Sequence, residues 1–152
     1  MKITFVCTGN TCRSPMLAAM FADYARKVGF ACETDSAGVT GGGSPVKPKT
    51  VNVLKSRGIN ASDGVSKVFD DDLAATSDFV FTMTEEQKNY LLAQHADAKV
   101  YALCDVCGKD IADPYGGEQS VYDALGDEFE SLLGEILDFV EKKSAKTPDA
   151  EA

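Results

Sequence analysis

The sequence has no tryptophan and a single histidine, His95. It also lacks basic charge: 15 Lys and Arg stand against 24 Asp and Glu, for a net charge of −9. A general nucleic-acid binder needs a basic face, and a peripheral protein held on anionic lipid needs a basic patch, so neither is expected. No apolar run approaches the roughly 18 residues that a membrane span requires. The first residues start a strand pattern at once, with no secretory apolar region and no small-residue cleavage site after it. The five cysteines are an odd number, and two of them share one loop, which does not make an extracellular disulfide framework. There is no internal repeat. The expectation is a cytoplasmic, monomeric chain with one domain over residues 1–143 and a polar tail over 144–152.

What is present is a globular composition, 44% hydrophobic and 26% charged, in a chain of 152 residues. That length can bury a core without disulfide or metal staples. Residues 3–6 read as a buried strand, ending in the Gly/Asn/Thr/Ser cluster from Thr8 to Ser14. A helix follows, with Ser14 as N-cap, Pro15 at its first position, and a stripe of Leu17, Met20, Phe21, Tyr24 and Val28 closed by Gly29. Residues 31–36 form a weaker strand, and a Gly/Ser/Pro-rich loop runs over 37–48. Helices are expected over 48–56, after Asp70-Asp71-Asp72, and from the Thr84-Glu85-Glu86-Gln87 capping box to Gln94. Further strands are expected over 78–83 and 99–103. A long connection over 104–117 precedes a last helix over 120–143, striped by Val121, Leu125, Phe129, Leu132, Leu133, Ile136 and Val140. Strands alternating with helices predict an α/β fold. Its sheet has four parallel strands, helices on both faces, and the Thr8–Ser14 loop after strand one.

That loop carries the chemistry. Cys7-Thr8-Gly9-Asn10-Thr11-Cys12-Arg13-Ser14-Pro15 lies between a strand and a helix. It has too few glycines for a dinucleotide fingerprint, and Cys-Arg-Ser where a nucleoside-triphosphate loop has Gly-Lys-Ser/Thr. What remains is a cysteine, five residues, then an arginine, at the carboxyl end of a strand. Backbone N–H groups of such a loop and of the helix behind it converge on one point, where they bind a phosphate dianion and favour a thiolate. Arg13 adds a forked donor for two phosphate oxygens. The combination is a nucleophile seated beside a phosphate cradle. Such chemistry also needs an acid for the leaving group, held apart from the ionised nucleophile; Asp113, before Pro114, is a candidate, although an Asp-Pro pair taken by itself reads first as a turn opener. No metal or other cofactor is called for, because the arginine and backbone amides supply the positive field.

With these residues in view, the sequence resembles the low-molecular-weight protein tyrosine phosphatases. The resemblance rests on the Cys7-to-Pro15 segment, on Asp113-Pro114-Tyr115 before the C-terminal helix, and on Ser36-Ala37-Gly38 after the second strand, and it spans about residues 1–143. It implies that Cys7 takes the phosphoryl group, that Arg13 binds phosphate, and that Asp113 acts first as acid and then as base. It implies that Thr8, Gly9, Asn10, Thr11, Cys12 and Ser14 surround the phosphate. Ser14 would stabilise the Cys7 thiolate, and Asn10 paired with Ser36 would fix the loop. Tyr115 would stack on the substrate at the cleft wall. The activity implied is a cysteine-dependent protein phosphatase, most simply on phosphotyrosine, with phosphorylated proteins as partners.

A second substrate reading competes. Thr11, on the rim of the loop, occupies a position usually aliphatic in the tyrosine phosphatases. A threonine there, with Gly116-Gly117 after Tyr115, resembles the bacterial protein-arginine phosphatase branch. Asn60-Ala61-Ser62-Asp63 stands where the family carries a histidine. A thioredoxin-coupled arsenate reductase would need a further cysteine pair, and residues 79–94 contain no cysteine. A non-catalytic phosphate-binding module would not need the Cys7, Arg13 and Asp113 set.

The other cysteines stay open. Cys12 is either a small filler under the loop or, by the family resemblance, a thiol that forms a reversible disulfide with Cys7. Cys104 and Cys107 are at most half of a four-ligand zinc site, a labile redox pair, or plain loop residues. His95 is expected as a solvated helix-end residue, and the acidic runs as solvated faces.

Overall fold

The structure, a computed structural model, describes residues 1–145. Its elements in chain order are β1 (Lys2–Cys7), α1 (Arg13–Val28), β2 (Glu33–Gly38), α2 (Pro48–Ser56), α3 (Asp71–Thr76), β3 (Phe79–Thr82), α4 (Glu85–Gln94), β4 (Val100–Ala102), α5 (Cys104–Cys107) and α6 (Gln119–Ala145). The four strands form one sheet in the order β2-β1-β3-β4, and every pairing is parallel. The expected α/β architecture is therefore the observed one.

The strand period of two sorts side chains onto the two faces. Ile3, Phe5, Phe79 and Phe81 join Leu17 and Phe21 of α1 and Phe129 and Ile136 of α6 in the larger core. Phe5 lies 5.7 Å from Phe21 and 5.8 Å from Phe81, ring centre to ring centre, so aromatic packing bolts α1 to the middle of the sheet. On the opposite face Val6, Ala37, Val80 and Val100 meet Phe69, Leu73 of α3 and Leu91 of α4. The chain leaves β1 for β2 on one side and later returns to β3 on the other. The carboxyl end of β1 is thus a topological switch point, where open α/β sheets leave a crevice for ligands.

Several boundaries differ from expectation, for reasons of tertiary pairing. Strand β2 starts at Glu33 and runs to Gly38, because its register pairs Glu33 with Lys2 and Gly38 with Cys7. Helix α1 begins at Arg13 with Cys12 in the N-cap position, so Ser14 lies inside the first turn and its hydroxyl is not a cap. Pro15 fits there because first-turn N–H groups have no partner within the helix. The 104–117 connection opens with the short helix α5. Val121 is exposed rather than part of the buried stripe on α6. His95 is not a solvated residue: its ring meets Phe69 edge-on at 5.3 Å, and Nδ1 lies 3.0 Å from an Asp71 carboxylate oxygen. Of the expected tail, Ser144 and Ala145 continue α6, and 146–152 lie outside the described residues.

Candidate active site

Strand β1 delivers Cys7 to the switch point, and the loop from Thr8 to Cys12 turns back over it into α1. That turn needs one left-handed residue, and Asn10 takes the conformation with φ 57°. Asparagine tolerates this backbone better than most side chains because its amide can bond locally. Its side-chain nitrogen donates to Ser14 Oγ at 2.8 Å, and its oxygen accepts from the Lys67 N–H at 2.9 Å. The loop is tied from outside as well. Val39 N–H donates to the Cys7 carbonyl, Thr40 N–H to that of Thr8, and Lys47 N–H to that of Thr11. Gly38 passes so close that a Cβ there would lie 2.7 Å from the Thr8 carbonyl oxygen and 3.0 Å from the Asn10 nitrogen.

Cys7 is buried, and its sulfur lies 3.0 Å from Ser14 Oγ. Ser14 Oγ also lies 3.2 Å from the Ala37 carbonyl oxygen. With the Asn10 amide already donating to that hydroxyl, its single proton has two acceptors to choose between. A protonated Cys7 donates to Ser14, which then donates to Ala37. An ionised Cys7 takes the Ser14 proton as a hydrogen bond. The triplet therefore accommodates both protonation states of the thiol with only the rotation of a hydroxyl.

Arg13 is buried at the head of α1, and its Nη1 donates to the Ile111 carbonyl at 2.8 Å. Its Nη2 stands 3.7 Å from the Asp113 carboxylate, which is 52% exposed. Asp113 also accepts from the Tyr115 N–H at 3.0 Å, an Asx turn that aims the Asp-Pro-Tyr segment at the loop. Tyr115 is 73% exposed, with the Lys47 ammonium 5.4 Å from its ring centre.

Cys7, Thr8, Gly9, Thr11, Cys12, Arg13, Asp113 and Tyr115 all line one cleft of about 580 Å³. That volume suits a side-chain-sized ligand. Asn10 and Ser14 sit behind the cleft as buried supports. Ser36 is the exception. Asn10 uses Ser14 and Lys67 rather than Ser36, because Ser36 pairs with Phe5, two residues below the switch point. The support from Ser36-Ala37-Gly38 comes instead through the bare Cα of Gly38 and the Ala37 carbonyl.

Sequence reasoning missed the second wall, built by Gly41, Gly42, Ser44, Pro45, Val46 and Lys47. The Gly/Ser/Pro-rich composition marked a loop there, and nothing local showed that it faces Cys7. It also missed Gln87, which reaches Thr8 from α4.

Behind the cleft, Cys12 Sγ lies 3.6 Å from the Tyr122 hydroxyl. Burial, with the contact to Cys12, pushes the Tyr122 phenol up to about 12. Cys7, Cys12, Cys104 and Cys107 are all free thiols. Burial, and then the charges of Asp105 and Asp110, push the Cys104 thiol up, which works against a thiolate ligand there.

A buried thiol bonded to a hydroxyl, a forked cation and an opposed carboxylate at the end of a parallel strand are the groups with which phosphoryl transfer through sulfur can be carried out. The model of the low molecular weight phosphotyrosine protein phosphatase family matches residues 2–146. The chain belongs to that family. It is a cysteine-dependent protein phosphatase of the low-molecular-weight protein-tyrosine-phosphatase type, with phosphorylated proteins as its class of substrate.

Among its relatives is the protein-arginine-phosphatase of Bacillus subtilis, 36% identical over 148 residues, covering 93% of this chain and 98% of that protein. PtpB of Staphylococcus haemolyticus, a low molecular weight protein-tyrosine-phosphatase, is 31% identical over 140 residues, covering 90% and 97%. The solved structure of a cysteine-to-serine mutant of YwlE arginine phosphatase, with a phosphorylated active-site serine, superposes with a TM-score of 0.86 at 35% identity, covering 93% of this chain and 97% of that one. Within this phosphatase fold the cleft at the end of β1 is the candidate active site.

Proposed function

We propose that this phosphatase removes the phosphoryl group from phosphoarginine in proteins, through a phosphocysteine on Cys7. The observation that carries the chemistry is the Cys7–Ser14 contact at 3.0 Å in the same cleft as Arg13, which faces Asp113 at 3.7 Å. In the first step the Cys7 sulfur attacks phosphorus and the bond to the leaving nitrogen breaks. Asp113 gives that nitrogen its proton. Arg13 and the loop N–H groups hold the equatorial oxygens, where charge is concentrated. In the second step water attacks the phosphocysteine and Asp113 takes its proton. The Cys7 thiolate departs, received by the Ser14 hydroxyl, and inorganic phosphate leaves.

Thr11 supports the arginine substrate. It lines the rim of the cleft as a hydroxyl-bearing side chain, which accommodates a polar guanidinium better than an aliphatic one does. The arginine phosphatase of B. subtilis is also the more similar of the two relatives compared above. Phosphotyrosine, the simpler expectation from sequence, keeps one specific observation: Tyr115 presents an exposed ring at the cleft wall. The reaction needs a reduced thiol, which suits the reducing cytoplasm. Cys7, Arg13 and Asp113 all come from one chain, so a monomer suffices.

The test is kcat/KM on matched phosphoarginine and phosphotyrosine peptides, with reductant and with Cys7→Ser as control. A strong arginine preference is expected. A strong tyrosine preference would overturn the substrate assignment and give specificity to Tyr115. Silence on both, equal to the control, would overturn the phosphatase reading.

A further inference from the structure

Gln87 sits at the third position of α4, where its capping-box role needs only an oxygen. That oxygen is used: Gln87 Oε1 accepts from the Met83 N–H and the Thr84 N–H, both at 3.0 Å. Glutamate would cap as well, and its charge would suit the positive end of the helix. What glutamine adds is a donor. Its Nε2 crosses to the phosphate loop and donates to Thr8 Oγ1 at 3.0 Å, a contact between residues 79 apart in sequence.

The direction of this chain of bonds is fixed. Two backbone N–H groups can only donate, so the Gln87 oxygen must face them and its NH₂ must face Thr8. An amide nitrogen can only donate, so Thr8 Oγ1 is the acceptor. The Thr8 hydroxyl proton is thereby left to point elsewhere. Thr8 lines the cleft beside Cys7, whereas Gln87 is 7% exposed.

We propose that the Thr8 hydroxyl is a hydrogen-bond donor to the phosphoryl group in the cleft, and that Gln87 is the positioning residue that sets its polarity. This rests on the phosphatase reading of the site. The backbone N–H groups of Met83 and Thr84, just ahead of α4, thus orient Gln87, Gln87 orients Thr8, and Thr8 presents a proton to the anion, with no charge introduced near Cys7. The arrangement lets the first turn of α4 contribute to a cradle that it does not itself line.

The test uses the full chain with Thr8→Val, Thr8→Ser, Gln87→Glu and the Thr8→Val/Gln87→Glu double variant. Gln87→Glu keeps the cap but turns the group facing Thr8 into an acceptor, which draws the Thr8 proton away from the cleft. Two readouts are taken: kcat/KM on a phosphopeptide, and binding of inorganic phosphate followed by calorimetry. Thr8→Val should weaken both by about tenfold, the scale of one hydrogen bond to a charged group at a partly open site. Thr8→Ser, which restores the hydroxyl, should recover most of what Thr8→Val loses in both readouts. Gln87→Glu should match Thr8→Val in the parent chain and add nothing in the double variant, the signature of two residues acting through one contact.

Phosphate binding by Thr8→Val equal to that of the parent would overturn the proposal. So would a Gln87→Glu loss of the same size with and without the Thr8 hydroxyl, which would mark a charge or folding effect. A parent chain that turns over no phosphopeptide but binds phosphate, and binds it less tightly after Thr8→Val, would sink the phosphatase reading and leave this inference standing.

Discussion

The two sides of the cleft are built in opposite ways. On the β1 side, Cys7, Asn10, Arg13 and Ser14 are all buried, and the loop is tied by backbone bonds from Val39, Thr40 and Lys47 and by the Lys67 N–H on the Asn10 side chain. On the other side, Asp113 and Tyr115 stand largely in solvent on a segment held by the Arg13–Ile111 bond, an Asx turn and the Lys49 ammonium on the Gly117 carbonyl. The difference follows from what each side has to do. Stabilising a phosphoryl transition state is electrostatic, and its donors must be aimed before the charge arrives. In the proposed mechanism, proton transfer and substrate contact need reach, and the second step needs water beside Asp113.

This contrast breaks most sharply at Cys7. Cys7→Ser should abolish turnover while leaving thermal stability close to that of the parent, and a variant retaining phosphatase activity would remove Cys7 as nucleophile. Next is Asp113→Ala. Turnover of a substrate with a poor leaving group should fall on the order of 10²–10⁴-fold, the range of general acid–base catalysis. A substrate whose leaving group needs no proton should lose far less, and equal losses on both would mean that Asp113 does something other than protonate.

On the rigid side, Gly38→Ala should cost both activity and fold. The new Cβ meets backbone oxygens of Thr8 and Thr40 and the nitrogen of Asn10, none of which can rotate away. A melting experiment should show a loss of about 1–3 kcal/mol, typical of overpacking, with kcat/KM falling in parallel. Ser36→Ala, two residues earlier, should leave kcat/KM within about twofold, in keeping with the absence of a bond from Asn10 to Ser36. Tyr115→Ala on the open side should change KM by a few-fold and leave the phosphate affinity alone, since its exposed ring lies at the cleft wall and not in the phosphate loop.

A modest effect on stability, rather than on turnover, is expected at the base of the open side. Asp105 accepts from the Ala102 N–H and pairs with Lys88, which anchors α5 and the segment leading to Asp113. Burial opposes its ionisation, but those hydrogen bonds outweigh burial and hold the carboxyl below its ordinary 3.8. The ionised form is therefore favoured by folding. Its contribution is present above about pH 4 and is lost as the pH falls through the lower folded value. Asp105→Asn should reduce stability at pH 7 by about 1 kcal/mol, and the difference should fade in acid.

Much of this molecule was legible locally. The strand and helix periods, the Thr84 capping box and the helix start at Pro48 all depend on residues within a few positions of one another. Boundaries failed where a distant partner set them, as at β2, whose register on β1 carried it to Gly38. The Ser14 assignment as a helix cap failed for the same reason, since Cys7, Asn10 and Ala37 claim its hydroxyl. Cys7 and Arg13 stood out as candidates because their spacing falls in a strand–loop–helix context, and Asp113 because of the family resemblance; only the fold brings the three into one cleft.

The sequence alone determined the candidate reagents, a thiol and a guanidinium with five residues between them in a loop between a strand and a helix and a carboxylate before the last helix. Tertiary structure alone decided what holds and aims them. Asn10 finds Lys67, Thr8 finds Gln87, Arg13 finds Ile111 and Cys12 finds Tyr122, across 57 to 110 residues of chain. Those partners meet only because parallel strands require crossovers that bring the loops after β1, β2, β3 and β4 to the same edge of the sheet.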